Sequence, residues 1–180
     1  MIVQYGKCRI ELLEGNITRQ STDAIVNAAN EQLAGGGGVD GAIHAAAGPS
    51  LMEQTRTRYP GGCPTGDAVV TTSGKLASRF VFHAVGPIWQ GGRRDEPEKL
   101  AAAYRKCLEL AIQHDCSSIA FPALSTGAFG YPIDLAAEVA LGTSIEFVKQ
   151  HQQPGVVRFV LFGAGALGAH SRVLESLSVQ

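Results

Sequence analysis

The chain has 180 residues, a net charge of −1 and 45% hydrophobic residues. That length buries a core without disulfide or metal staples, and the near-cancelling charge excludes a composition built for nucleic acid or for an anionic membrane surface. No apolar run approaches the ~20 residues that span a bilayer, and the N-terminus lacks the basic flank and apolar core of a signal peptide, so a cytoplasmic location is expected.

In chain order, residues 8–13 (CRIELL) read as a strand and 14–18 as a turn. Residues 23–27 (DAIVN) form a second apolar strand, followed by the loop Gly35-Gly36-Gly37-Gly38. The alanine-rich stretch 39–47 favours helix, Gly48-Pro49 ends it, and Pro49 starts another helix to about residue 58. Residues 59–64 are loop, and 67–72 (DAVVTT) and 80–85 (FVFHAV) are strands with no helix between them, which implies an antiparallel pair. Residues 86–97 form a polar loop holding the only tryptophan, Trp89. Leu100, Ala103, Tyr104, Cys107, Leu108 and Ala111 repeat at helical spacing within 99–114. An apolar strand over 118–124 precedes a helical pattern over 133–149, a strand over 156–162 and a last helix over 171–177. Strands alternating with helices predict one α/β unit over residues 1–180, a sheet between layers of helices.

Two glycine loops carry the chemistry. The stretch 125–131, STGAFGY, leaves a strand and runs into a helix start. Glycines let backbone N–H groups approach an oxyanion, and the free amides and dipole of a helix terminus favour negative charge. Ser125 and Thr126 can add hydroxyl donors, and Phe129 and Tyr131 can wall a sugar or base. Both loops leave strands at the end where ligands of open α/β sheets sit, and two such loops suit a pyrophosphate better than a single phosphate. Beside the first loop stand Asn27, Asn30, Asp40 and His44. An amide can grip a sugar hydroxyl, and a carboxylate at a helix start can orient or deprotonate water. On residues alone the plainer roles come out slightly ahead: Asp40 as helix-start charge, worth under ~1 kcal/mol, and Asn27 and Asn30 as turn and cap residues. His44, one turn after Asp40, shares its helix face but reads as a packing or hydrogen-bonding residue, and His83, inside a strand, reads as structural.

Other chemistries find little footing. Cys8, Cys63, Cys107 and Cys116 form no CxxC pair or zinc-like spacing and read as free thiols in a reducing compartment. Ser125 lies in no GxSxG elbow, no Walker A lysine follows either glycine loop, and no carboxylate cluster suggests a metal site, so neither metal nor cofactor is expected. Residues 163–168, GAGALG, match the letters GxGxxG, but the chain ends before an acidic residue could hold a ribose. They read as a flexible strand–helix connection, at most a rim of the pocket.

The ordered motifs GNIT (15–18), DAIVNAAN (23–30), GGGGVDGAIHAAAG (35–48), CPTGDAVVT (63–71), HAVGPIW (83–89) and FPALSTGAFGYP (121–132) together resemble a macrodomain of the MacroD type, similar to the bacterial O-acetyl-ADP-ribose deacetylases. The likeness covers roughly residues 8–150. It implies a three-layer α/β/α fold with a mixed sheet and an ADP-ribose cleft. Ligand contacts would come from Asn16, Ile17, Asn27, Gly37, Gly38 and Val39, and from Ser125, Thr126, Gly127, Ala128 and Phe129. Catalysis falls by resemblance on Asn30, holding a proximal-ribose hydroxyl, and on Asp40, activating water, without metal. The implied substrates are O-acetyl-ADP-ribose and proteins mono-ADP-ribosylated on acidic side chains, with no membrane partner and no direct nucleic-acid contact. A non-catalytic ADP-ribose reader and a regulatory partner of an RNA-processing enzyme are the rival readings. Two departures stand out: Asn16 replaces the family's usual Asp, leaving an amide oxygen to accept from the adenine amino group, and residues 163–168 lack the bulkier polar side chains of similar proteins.

Overall fold

In the computed structural model, which describes residues 1–179, the apolar runs pair into one seven-stranded sheet. The strands are β1 (Ile2–Tyr5), β2 (Cys8–Glu14), β3 (Ala24–Ala28), β4 (Ala68–Thr72), β5 (Phe80–Ala84), β6 (Ser118–Phe121) and β7 (Val156–Leu161). Their order is β1-β2-β7-β6-β3-β5-β4. The five inner strands are parallel, and β1 and β4 close the edges antiparallel to β2 and β5. The helices are α1 (Gly38–Ala47), α2 (Ser50–Arg58), α3 (Glu96–Gln113), α4 (Ile133–His151) and α5 (Ala164–Ser178), and a 3-10 turn spans Ile17–Arg19.

Alternation along the strands sends side chains to two cores. Ile10, Leu12, Phe82, Phe121 and Phe159 meet Tyr104, Leu108, Leu141 and Val148 of α3 and α4 on one face. Ile25, Val81, Ala120 and Val160 meet Ile43, Ala47 and Leu51 of α1 and α2 on the other. Helices on both faces of a mixed sheet make the expected α/β/α sandwich. Each buried aromatic contributes roughly 1.5–3 kcal/mol to holding the helices on the sheet.

Three boundaries differ from the sequence reading. β1 had no expectation: it is a four-residue edge strand with one buried side chain, and it exists because β2 supplies its ladder. The strand expected over 118–124 ends at Phe121, where Pro122 removes an N–H donor. Residues 164–168 are not a flexible connection but the first turns of α5, because α5 packs against α4 and tertiary contact overrides the glycines' weak propensity.

Candidate functional site

Because β2, β7, β6, β3 and β5 run parallel, the segments that leave their carboxyl ends share one edge of the sheet. The loop after β3 ends in α1, whose N-cap Gly37 has no side chain to cap it. Among the described residues, the first amides of α1 have no partner in the chain, and the helix dipole lies behind them. Asn30 braces this loop: its Nδ2 donates to Gly35 O (2.9 Å) and its Oδ1 accepts from Ala34 N (3.0 Å). Gly41 fits because a Cβ there would lie 2.6 Å from Gly36 O, so the loop backbone rests directly on the helix.

Asp40 sits in the first turn of α1, 6% exposed. Its Oδ1 accepts from Asn27 Nδ2 at 2.8 Å and lies 3.3 Å from His44 Nε2. Its Oδ2 faces Gly36, where a Cβ would come within 3.6 Å. One carboxylate oxygen is thus held and the other left for a small molecule. Asn27 is fully buried, and its amide nitrogen also reaches His83 Nδ1 at 3.2 Å. Turning the amide over would set two oxygens against each other, so Nδ2 donates to both Asp40 and His83. His83 Nδ1 is then the acceptor, and Nε2–H donates to Thr71 Oγ1 at 2.9 Å. Burial, with some help from His44, lowers the His83 pKa from 6.5 to about 3, so the ring stays neutral. The register makes this chain possible, since Asn27 and His83 are partners across β3 and β5. Asn27, expected at the ligand wall, stands one layer behind it and positions Asp40. His83 is structural as expected, but what it supports is the carboxylate.

The loop after β6 closes on its own backbone, with Tyr131 N donating to Ser125 O (2.9 Å) and Gly130 N to Gly127 O (3.0 Å). Among the described residues, the N–H groups of Gly127, Ala128 and Phe129 have no partner in the chain, so three successive donors point outward. The hydroxyls do not join them. Ser125, at φ 67°, buries its Oγ, and Thr126 Oγ1 donates to Ala123 O at 2.8 Å. Tyr131 is likewise no wall for a ligand: it is buried against Trp89, with ring centroids 4.6 Å apart.

Trp89 N donates to Phe129 O at 2.8 Å, which ties the loop after β5 to the loop after β6. Glu96, 1% exposed, accepts from Gln90 N (3.0 Å), Gly92 N (2.7 Å) and Arg94 N (2.5 Å) and so fastens the Trp89 loop to α3. Burial opposes the charge on Glu96, and these backbone donors outweigh it, leaving its pKa below the ordinary carboxyl value. A cavity of about 490 Å³ opens here, lined by Asn30, Glu31, Thr65, Ile88, Lys99 and Phe129 among others, so it adjoins both glycine loops.

At the far side of the edge, Asn16 Oδ1 accepts from Thr18 N (2.9 Å) and Thr18 Oγ1 (2.6 Å). The amide oxygen expected to meet a base is spent on its own turn, and the amide NH2 is what Asn16 presents. Ile17 and Val39 turn their side chains into the second core, so each offers the edge its backbone. Phe162, 92% exposed just after β7, is an apolar ring the sequence reading missed. A single aromatic after a strand carries no signal until the topology sets it on the same edge as the two glycine loops. The cysteines are buried and unpaired, and burial, with a smaller contribution from Asp67, pushes Cys63 up to about 11, so these thiols remain protonated.

Residues 26–140 match the family model described as Macro domain. The O-acetyl-ADP-ribose deacetylase of Salmonella typhimurium is 49% identical over 168 residues, 92% of this chain and 94% of that protein. A macro domain-containing protein of Caldanaerobacter subterraneus subsp. tengcongensis is 47% identical over 95% of this chain and 98% of its own length. Among solved structures, the Oceanobacillus iheyensis macrodomain with ADP superposes at TM-score 0.94 and 42% identity, covering 99% of this chain and 96% of that one. The Trypanosoma brucei macrodomain in complex with ADP-ribose superposes at TM-score 0.85 and 38% identity, covering 92% of this chain and 68% of that one.

Proposed function

The chain belongs to the Macro domain family, and on that premise we propose that it is an ADP-ribose-binding ester hydrolase, acting as one unit over residues 1–180. It deacetylates O-acetyl-ADP-ribose and releases ADP-ribose from acidic side chains, without a metal. The observation that carries this reading is Asp40: a nearly buried carboxylate at a helix start, one oxygen held by Asn27 and the other open beside Gly36, between two sets of unpaired amides. A module that only reads ADP-ribose has no use for a carboxylate held this way.

The diphosphate lies between the amides of Gly127, Ala128 and Phe129 and those of Gly37, Gly38 and Val39, where the helix dipole adds to the hydrogen bonds. Phe162 stacks on the base, and Asn16 and Ile17 border it. Asn30, which uses one Nδ2 hydrogen on Gly35 O, offers the other to a hydroxyl of the proximal ribose. Phe129 packs against that ribose, and the adjoining cavity takes the acid part of the ester.

Asp40 Oδ2 accepts a proton from water as the water oxygen attacks the ester. For the acetyl ester, attack on the carbonyl carbon gives a tetrahedral intermediate that expels the ribose oxygen, which takes up a proton. The products are acetate and ADP-ribose. For a glutamyl ester, attack on the carbonyl carbon or on the sugar carbon gives the same pair, ADP-ribose and the free carboxylate.

The test is release of acetate from O-acetyl-ADP-ribose and of ADP-ribose from a glutamate-linked modified protein, both in the presence of a chelator. Turnover of both that disappears in Asp40→Ala is expected. Tight ADP-ribose binding without turnover of either would make the chain a reader. Running the reaction in 18O-labelled water assigns the attacked atom, since label in the acid marks the carbonyl and label in the sugar marks the ring carbon.

A further inference from the structure

The opposite end of the sheet carries a group of side chains that the proposed reaction leaves unused. On the face bearing α1 and α2, those helices pack on β3 and β4, and the first halves of β2 and β7 are paved by ionic side chains instead. Arg9 and Glu11 of β2 share this face with Arg158 of β7, and Glu11 stands opposite Arg158 in the register. Glu11 accepts Arg9 Nε on one oxygen and Arg158 Nε on the other, each at 2.6 Å. Gln20 Oε1 takes Arg158 Nη1 at 3.1 Å. Among the described residues, the Nη groups of Arg9 and Nη2 of Arg158 have no protein partner. The two guanidinium groups are clamped by their inner edges and present their outer edges.

Those edges line a cavity of about 440 Å³ together with Lys7, Thr22 and Ser118. Lys7 is held at its backbone by Gln152 Oε1 (2.9 Å). Ser118 Oγ already accepts from Asp23 N (2.9 Å), so its own hydrogen is available to donate. The neighbouring carboxylates are spoken for: Glu11 is shared by both arginines, and Asp23 is turned to Ser117 and Arg79. Three cationic residues, Lys7, Arg9 and Arg158, therefore line the space, against one carboxylate that both arginines already share.

We propose that this cavity is a second anion site, which takes the phosphoryl group of a small phosphorylated molecule independently of the glycine loops. The chemistry favours phosphate over carboxylate. Two guanidinium edges, an ammonium and a hydroxyl offer more donors than two carboxylate oxygens can accept, whereas a phosphoryl group presents three or more acceptors. Because Glu11 has already fixed the arginines, binding loses little side-chain freedom. The site lies at the amino ends of β2, β6 and β7, on the order of 20 Å from the glycine loops across a seven-residue strand, too far for one phosphate to touch both.

The experiment is an NMR titration of the Arg Nε signals and of the Lys7, Ser118 and Gly155 amides. It is run in a Gly127→Glu protein so that the ligand cleft does not compete. Inorganic phosphate and glycerol 3-phosphate are added against a sodium chloride control at equal ionic strength. Saturable shifts with either phosphate probe are expected, weakened at least roughly tenfold in a Lys7→Gln, Arg9→Gln double variant. That variant keeps the Arg158–Glu11 pair, and an unchanged Tm confirms its fold. Phosphate alone binding marks a free-anion site, and both probes binding marks a phosphate-ester site. Signals that stay still, that move equally with chloride, or that titrate with the same affinity in the double variant would each overturn the proposal.

Discussion

The two glycine loops are built on opposite plans. The loop after β6 is closed by its own backbone, tucks its hydroxyls away and presents only amides. The loop after β3 is braced by a side chain, Asn30, and delivers a carboxylate that is itself held by a buried asparagine, which a neutral histidine holds in turn. The first plan stabilises charge and moves no proton. The second supplies the group that can. On the function proposed above, the loop after β6 serves binding alone, whereas the loop after β3 shares in binding and also supplies the group for turnover, and the first substitutions below test that difference.

The largest effect is expected from Gly127→Glu. Position 127 has nothing within 4 Å of a Cβ, so the variant folds, but a carboxylate among the three amides repels a diphosphate. Calorimetry should find ADP-ribose binding abolished, and unchanged affinity would remove this loop as the phosphate site. Asp40→Ala should lower turnover by about 10²–10⁴-fold with ADP-ribose affinity largely kept. Equal loss of binding and turnover would erase the division between the loops.

His83→Gln tests the support beneath Asp40. Displacing Asn27 should cost about tenfold to a hundredfold in kcat, with KM little changed. The same variant has a signature in stability. The folded-state pKa of His83 is depressed from 6.5 to about 3, so as pH falls through 6.5 the unfolded chain takes up a proton that the folded chain does not. Stability should decline from pH 6.5 towards 3. His170, lowered mainly by burial, acts in the same direction, whereas Glu11, held below 4.5 by its arginines, contributes only at lower pH. Thermal melts between pH 7 and 5 should be flatter for His83→Gln than for the parent, and parallel slopes would refute a buried neutral ring.

Gly41→Ala presses a methyl on Gly36 O and should cost about 1–3 kcal/mol in denaturant unfolding while moving the loop off Asp40. The smallest change is Asn16→Asp, which keeps the cap on Thr18 and puts a second acceptor where the amide NH2 now points. Adenine-containing ligands should tighten by on the order of 1 kcal/mol or less, and no shift in preference for ADP-ribose over ribose phosphate would show that residue 16 does not read the base.

Much of this was legible in the chain because its signals are local. Glycine runs mark close backbone approach, Gly48-Pro49 punctuates two helices, and the helical spacing of Leu100, Tyr104 and Leu108 names the buried side of α3. What escaped depends on pairing between distant segments. Thr71, His83, Asn27 and Asp40 come from three strands and a helix, and only the register sets them in line. The side-chain directions at Ser125, Thr126, Tyr131 and Asn16 follow from φ values and competing backbone partners, which residue type does not encode. Arg9 and Arg158 read as ordinary strand-surface charges until β2 and β7 lie side by side.

Trp89 is the sole tryptophan of the chain, and its ring leans on Tyr131 while its amide holds the carbonyl of Phe129. The molecule therefore contains one indole fluorophore, stationed where the loop proposed to receive phosphate is anchored. Any ligand that reshapes that loop should alter its emission, so binding can be followed in unlabelled protein by light alone.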